Sequence, residues 1–190
     1  MERIFLAGCS GLVGQAFVRK LESSPSTQLI CRSRTELDLT RQESVVKLFE
    51  EESPNRVILA AGTVGGIQAN IDFPGKMIYE NILIAANVIH GAFCSGTAEL
   101  LYFGSSCMYP KYCKQPMRES DLLGGFLESS NDAYAMAKLA GWKLVESYNR
   151  EYGTRYRTLI PGNLYGPCDR FSVKDSHVIP ALLRKFHEAK

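Results

Sequence analysis

Short apolar runs recur along the chain, each followed by a glycine-containing turn and then by a stretch whose apolar positions return every three or four residues. Arg3-Ile4-Phe5-Leu6-Ala7 is the first, and a brief run without polar alternation predicts a strand covered on both faces. It feeds Gly8-Cys9-Ser10-Gly11-Leu12-Val13-Gly14, after which Ala16, Phe17 and Leu21 keep helical spacing. The same reading predicts strands at 28–31, 56–62, 99–104 and 156–160. Between and after them it predicts helices at 41–52, at 75–94 (apolar at Met77, Ile78, Ile82, Ala85, Ala86 and Ile89), at 131–152 and at 176–187. Strands alternating with helices imply an α/β fold, a doubly wound parallel sheet covered on both faces.

Composition adds limits. With 190 residues, 45% hydrophobic and 22% charged, the chain can bury one good core. A net charge of +2 and no dense Lys/Arg run give no field that would favour nucleic acid as a partner. The apolar run near Met1 is too short for a signal peptide, and no later stretch approaches a membrane span, so the expectation is a cytoplasmic protein with no membrane partner. The cysteines at 9, 31, 94, 107, 113 and 168 form no Cys-x-x-Cys pair, which fits reduced thiols rather than a disulfide framework or a zinc site, and no metal is expected.

The chemistry lies at the ends of the predicted strands. Strand, glycine turn and helix together make a dinucleotide fingerprint, the sign of a Rossmann fold: Gly8 permits the tight turn, Gly11 lets backbone approach a pyrophosphate, and Gly14 lets helix pack on strand. The second strand ends in Arg32-Ser33-Arg34, where an NAD site would place a carboxylate. Two arginines suit a 2′-phosphate and favour NADP; the alternative is a solvated basic pair. Asp38-Leu39 follows as a turn over the adenine. After the fourth strand, Ser105 is placed to hydrogen-bond a substrate oxygen, while Cys107 is either a reactive thiol or a small buried hydrophobe. Ser129-Ser130-Asn131-Asp132 supplies a helix start that puts Tyr134 and Lys138 one turn apart. An ammonium beside a phenol favours the phenolate and should lower the tyrosine pKa, making an acid/base pair for carbonyl chemistry; a surface Tyr with a snorkelling Lys is the bland alternative. His177 stands at the start of the last helix, where the helix N-terminus disfavours the imidazolium.

These residues resemble the extended short-chain dehydrogenase/reductase family, and within it the branch that epimerises and reduces GDP-4-keto-6-deoxymannose. The glycine fingerprint and Tyr134-x-x-x-Lys138 carry the general likeness. Val64-Gly65-Gly66-Ile67-Gln68-Ala69-Asn70, Gly104-Ser105-Ser106-Cys107-Met108-Tyr109-Pro110-Lys111, Glu146-Ser147-Tyr148-Asn149-Arg150, Asn163-Leu164-Tyr165-Gly166-Pro167 and Ser176-His177-Val178-Ile179-Pro180-Ala181-Leu182 carry the specific one. The resemblance implies NADPH-dependent 3,5-epimerisation and 4-reduction to GDP-L-fucose. It assigns Ser105, Tyr134 and Lys138 to the reduction, Cys107 and His177 to proton exchange at C3 and C5, and Ser106, Cys107 and Lys185 to the GDP-sugar. It places Gly8 to Gly14, Arg32, Arg34, Asp38, Leu39, Ala61, Ser105, Tyr134, Lys138, Pro161, Asn163, Leu164 and His177 around NADP, and it implies a homodimer through the helices at 75–94 and 131–152.

Two departures stand out. Some members carry His-Arg where this chain has Cys9-Ser10, which leaves a 2′-phosphate to Arg32 or Arg34. Members are also longer, so residues 1–166 read as the NADP-binding domain and 167–190 as the beginning of an incomplete sugar-nucleotide region. Another sugar-nucleotide epimerase or dehydratase, and a non-catalytic NADP-binding or dimerising module, remain as alternatives.

Overall fold

Five strands, β1 (Glu2–Ala7), β2 (Thr27–Cys31), β3 (Arg56–Leu59), β4 (Glu99–Phe103) and β5 (Arg155–Leu159), form one parallel sheet in the order β2-β1-β3-β4-β5. The structure is a computed structural model, and it describes residues 1–169, 171, 172, 176 and 178–189. Helices α1 (Leu12–Leu21), α2 (Gln42–Glu52), α4 (Pro74–Cys94) and α5 (Asp132–Tyr152) connect the strands; a six-residue α3 (Ile67–Asp72) precedes α4, and α6 (Val178–Glu188) follows β5. The chain runs outward from β1 to β2, then returns to β3 and builds the other way. The strand order therefore reverses between β1 and β3, and the crevice beyond their carboxyl ends is where doubly wound sheets bind ligands.

Alternation along β4 sorts its side chains between the layers. Tyr102, 2% exposed, faces α5, where Gly141 comes so close that a Cβ on it would lie 2.4 Å from the Tyr102 hydroxyl oxygen. Phe103 points the other way and meets Phe17 of α1 edge-on at 5.9 Å. The main core joins Phe5, Val57, Leu59, Leu100 and Tyr102 of the sheet to Val45, Phe49, Val88, Ile89 and Val145 of the helices. Gly91 lets α4 settle on the Phe49 ring of α2.

The predicted elements are present, with shifted ends. Pro74, in the first turn, starts α4 one residue before the expected Gly75, a position where the missing N–H costs nothing. The helix α3 was not foreseen, because six residues behind Gly65-Gly66 show no helical period. Asn131 caps α5, but its side chain makes no capping bond. One expectation is corrected. No stretch was expected to approach a membrane span, yet α4, 21 residues with a hydropathy of 1.3, is long and apolar enough by length and composition. Its apolarity follows from its place against the sheet: Met77, Ile84, Ala85, Val88, Ile89 and Ala92 are buried.

Candidate active site

The turn after β1 has the shape the glycines predict. Gly8 sits at φ +90°, a left-handed conformation, and a Cβ on it would lie 2.6 Å from the Ala61 nitrogen across the crevice. A Cβ on Gly14 would lie 2.0 Å from the Gly8 carbonyl oxygen. The Gly11 N–H donates to that same oxygen at 3.1 Å, and the Gln15 amide donates to the Cys9 carbonyl at 2.8 Å. No side chain caps α1, so its first-turn N–H groups, Leu12 and Val13 among them, face an anion without competition. Such a cradle suits a pyrophosphate.

Beyond β2 the two arginines differ. Arg32 is gripped by Glu52, which also holds Arg3 at 2.6 Å, and Arg32 returns a second bond to the Cys31 carbonyl at 2.9 Å. Arg34 is exposed and, among the described residues, pairs loosely with Glu80 at 3.4 Å. The expectation treated them alike; the Glu52 carboxylate at the end of α2, invisible to local sequence, separates them. Asp38 accepts from the Thr40 amide and hydroxyl at 3.0 and 2.7 Å, and those bonds hold its carboxyl below the usual range. Leu39 packs against the core.

Past β4, residues 106–108 make a single 3₁₀ turn capped by Ser105. The turn folds Cys107 back, so that its thiol lies 2.8 Å from the Ser105 hydroxyl. Met108 is buried beneath, its sulfur accepting from the Ser105 amide at 3.3 Å, and Ser106 is half-buried beside it. From α5, Tyr134 and Lys138 approach the same place. Lys138 is 5% exposed; its ammonium donates to the Phe103 carbonyl at 2.9 Å and lies 5.8 Å from the Tyr134 ring centre and 5.1 Å from that of Tyr102.

The electrostatics correct one expectation. Lys138 was expected to lower the Tyr134 pKa, whereas the phenol is pushed well above its ordinary value. Burial is the main cause and the neighbouring Cys107 charge adds to it, while the Ser105 hydroxyl pulls weakly the other way. Burial also drives the Lys138 ammonium down to about 8, with Cys107 opposing. A cation that is itself held out of water and directed at a carbonyl lends a phenolate little support. The Tyr134 phenol accordingly stays protonated across neutral pH.

Asn81 was missed. Its side chain, 3% exposed, accepts from the Thr63 amide at 3.0 Å and donates to the Thr63 and Met77 carbonyls at 2.8 and 2.7 Å, pinning the loop after β3. A Cβ on Gly62 of that loop would lie 2.9 Å from the Asn81 oxygen and 3.6 Å from the Lys138 nitrogen. The signal was an amide four residues after Met77, on an otherwise apolar helix face. Pro161, Asn163 and Leu164 lie in the loop after β5, which returns over α1: a Cβ on Gly166 would lie 3.7 Å from Leu12. Lys185 is exposed on α6. His177 lies outside the described residues.

A glycine cradle lies at the reversal of a parallel sheet, and a Tyr/Lys pair and a Ser/Cys turn meet at the end of the neighbouring strand. Residues 4–190 match the model of the NAD dependent epimerase/dehydratase family, and the chain belongs to that family. It is 52% identical over 188 residues to GDP-L-fucose synthase of Escherichia coli, a match covering 99% of this chain and 59% of the relative. It is 43% identical, with a TM-score of 0.95, to the structure of a GDP-D-glycero-L-gluco-heptose synthase of Campylobacter jejuni in the presence of NADPH; the match covers all of this chain and 55% of that one. A GDP-mannoheptose C4 reductase of the same organism, with NADP bound, gives 43% identity and a TM-score of 0.93 over all of this chain and 56% of the other. The chain thus spans between half and two thirds of the length of these relatives.

Proposed function

We propose that this chain is the cofactor-binding and catalytic portion of an enzyme that epimerises GDP-4-keto-6-deoxymannose at C3 and C5 and reduces it at C4 to GDP-L-fucose, using NADPH. The observation that carries the reading is the meeting of Ser105, Cys107, Tyr134 and Lys138 at the carboxyl end of β4. Its support is the identity with GDP-L-fucose synthase along nearly the whole chain. When bound, NADPH supplies the hydride delivered to C4. The α1 N-terminus and the Gly8–Gly14 turn would hold its pyrophosphate, and Tyr134 and Lys138 would be further contacts to it. Ser105 orients the 4-oxygen and Tyr134 protonates it. Beforehand the 4-keto group acidifies the neighbouring C–H bonds, and the Cys107 thiol, with His177, exchanges protons there through an enolate. Ser106 and Lys185 contact the GDP-sugar.

Arg34, exposed and weakly held, is the better candidate for the 2′-phosphate. Calorimetric titration of the chain should give at least tenfold tighter binding of NADPH than of NADH, about 1.4 kcal/mol and within reach of one charge-assisted contact. Arg34→Ala should erase most of that preference. Equal affinities in the parent would remove the NADP assignment.

The relation to a C4 reductase favours a second reading, reduction without epimerisation. Deuterated buffer separates the two. With this chain joined to the C-terminal part of the Escherichia coli relative, product formed from the keto sugar should carry deuterium at C3 and C5. Cys107→Ser should cut that incorporation at least tenfold while slow reduction at C4 persists. A parent that reduces without taking up deuterium would establish the second reading. A Cys107→Ser variant with full incorporation would reduce the thiol to a packing role.

We also propose a homodimer through α4 and α5, on whose outer faces Tyr79, Ile82, Met136 and Tyr152 are exposed. Sedimentation at tens of micromolar should give a species of twice the chain mass; monomer alone would count against the interface.

A further inference from the structure

The parallel register sets Cys31 beside Leu6, so the end of β2 runs alongside the strand that leads into the glycine turn. Cys9 lies in that turn. Its thiol reaches the Arg32 carbonyl at 3.7 Å, next in chain to Cys31, and Cys9 is near enough to act on the Cys31 thiol. Both residues are half-buried, so a small oxidant can reach them. Neither thiol has a part in the proton or hydride chemistry at Ser105, Cys107 and Tyr134.

We propose that Cys9 and Cys31 form a dithiol that low-molecular-weight disulfides oxidise to a disulfide, and that closing it shuts the glycine turn against the cofactor. The closing step rests on the cofactor reading above; the oxidation does not. Cys9, in the turn, attacks first. The Cys31 thiol is pushed up to about 12, chiefly by burial and then by the charge of Cys9, which disfavours its thiolate. The Cys9 thiolate attacks one sulfur of glutathione disulfide, forming a Cys9–glutathione bond and expelling one glutathione thiolate. Cys31 then gives up its proton and its sulfur displaces the second glutathione. The protein loses two electrons and two protons, two glutathione molecules carry them away, and a reducing dithiol reverses the sequence.

The closed form is incompatible with the open cradle. A sulfur–sulfur bond is about 2.05 Å long, far shorter than any contact between unbonded thiols, so the glycine turn and the end of β2 must draw together. Gly8 and Gly14 leave no slack on the other side, because their backbones already touch Ala61 and each other. The movement strains the Gln15 bond to the Cys9 carbonyl and displaces the turn that leads into the Leu12 and Val13 amides, the donors an anion would meet.

The test treats the purified chain with excess glutathione disulfide, maps its peptides by mass spectrometry, and titrates the reduced and oxidised forms with NADPH. The expected result is a Cys9–Cys31 cross-link, a loss of at least tenfold in NADPH affinity, and recovery with dithiothreitol. Cys31→Ala should bind NADPH within twofold of the reduced parent, and under the oxidant it should accumulate glutathione on Cys9, as a Cys9 able to make the first attack requires. Glutathione on Cys94 or Cys168 without a Cys9–Cys31 cross-link would overturn the dithiol. A cross-linked chain that binds NADPH as tightly as the reduced one would overturn the gate. A reduced chain that does not bind NADPH would instead remove the cofactor reading and the gate with it, and the cross-link alone would stand.

Discussion

Tyr134→Phe should lower the rate of NADPH-dependent reduction by about 10²–10⁴-fold, the usual worth of a positioned acid, and leave NADPH affinity within a few-fold. The substitution removes one oxygen from a half-buried ring and keeps its packing. The parent phenol is held well above its ordinary pKa by burial, so it stays protonated throughout the working range and contributes no alkaline limb of its own. Stopped-flow measurement of NADPH oxidation with the keto sugar, in the extended chain, is the check. A variant that turned over at the parent rate would move the acid to another group.

Lys138→Met should abolish most of the activity and at the same time stabilise the fold. The buried ammonium titrates at about 8 instead of 10.5, a difference that corresponds to about 3 kcal/mol of unfavourable burial. Losing the bond to the Phe103 carbonyl returns about 1 kcal/mol or more of that, which leaves a net gain on the order of 1–2 kcal/mol. The sign with pH follows from proton counting. Unfolded chain keeps this proton up to 10.5 and folded chain only to about 8, so between those values the unfolded state binds more protons and the parent gains stability as pH rises. The advantage of Met over Lys should therefore be greatest near neutrality and shrink across that interval. Parent activity should fall as pH climbs through about 8, when the ammonium is lost. Urea denaturation of both proteins at several pH values decides it. A Met variant less stable than the parent at neutral pH, or a difference that does not change with pH, would contradict the burial argument.

Most of the fold could be read from the chain because parallel strands buried on both faces are unbroken apolar runs, and because Gly8, Gly11 and Gly14 stand where one geometry needs them. The Ser105, Tyr134 and Lys138 positions were legible for the same reason, since strand ends and a helical period place them. What escaped reading depends on neighbours remote in sequence. The fate of Arg32 is decided by Glu52, twenty residues on. The protonation of Tyr134 is decided by how deeply α5 sinks onto the sheet. Asn81 looked like one polar residue on an apolar helix until the Thr63 loop folded over it, and α3 is too short to leave a period. The apolarity of α4 was underestimated because its few charges cluster near one end.

Gly141 gives the chemistry a mechanical tolerance. It lies two helical turns past Tyr134 on the stripe that also carries Lys138, and it bears directly on the Tyr102 ring, with ring carbons 2.5 and 2.8 Å from where a Cβ would be. The donor on α5 and the Ser105 hydroxyl beyond β4 therefore face each other across a gap gauged by the thickness of one glycine against one tyrosine. No distance along the chain controls it. A methyl group at 141 would shim the two layers apart and silence the reaction with every reactive group still in place, whereas trimming Tyr102 at the same time would restore the clearance.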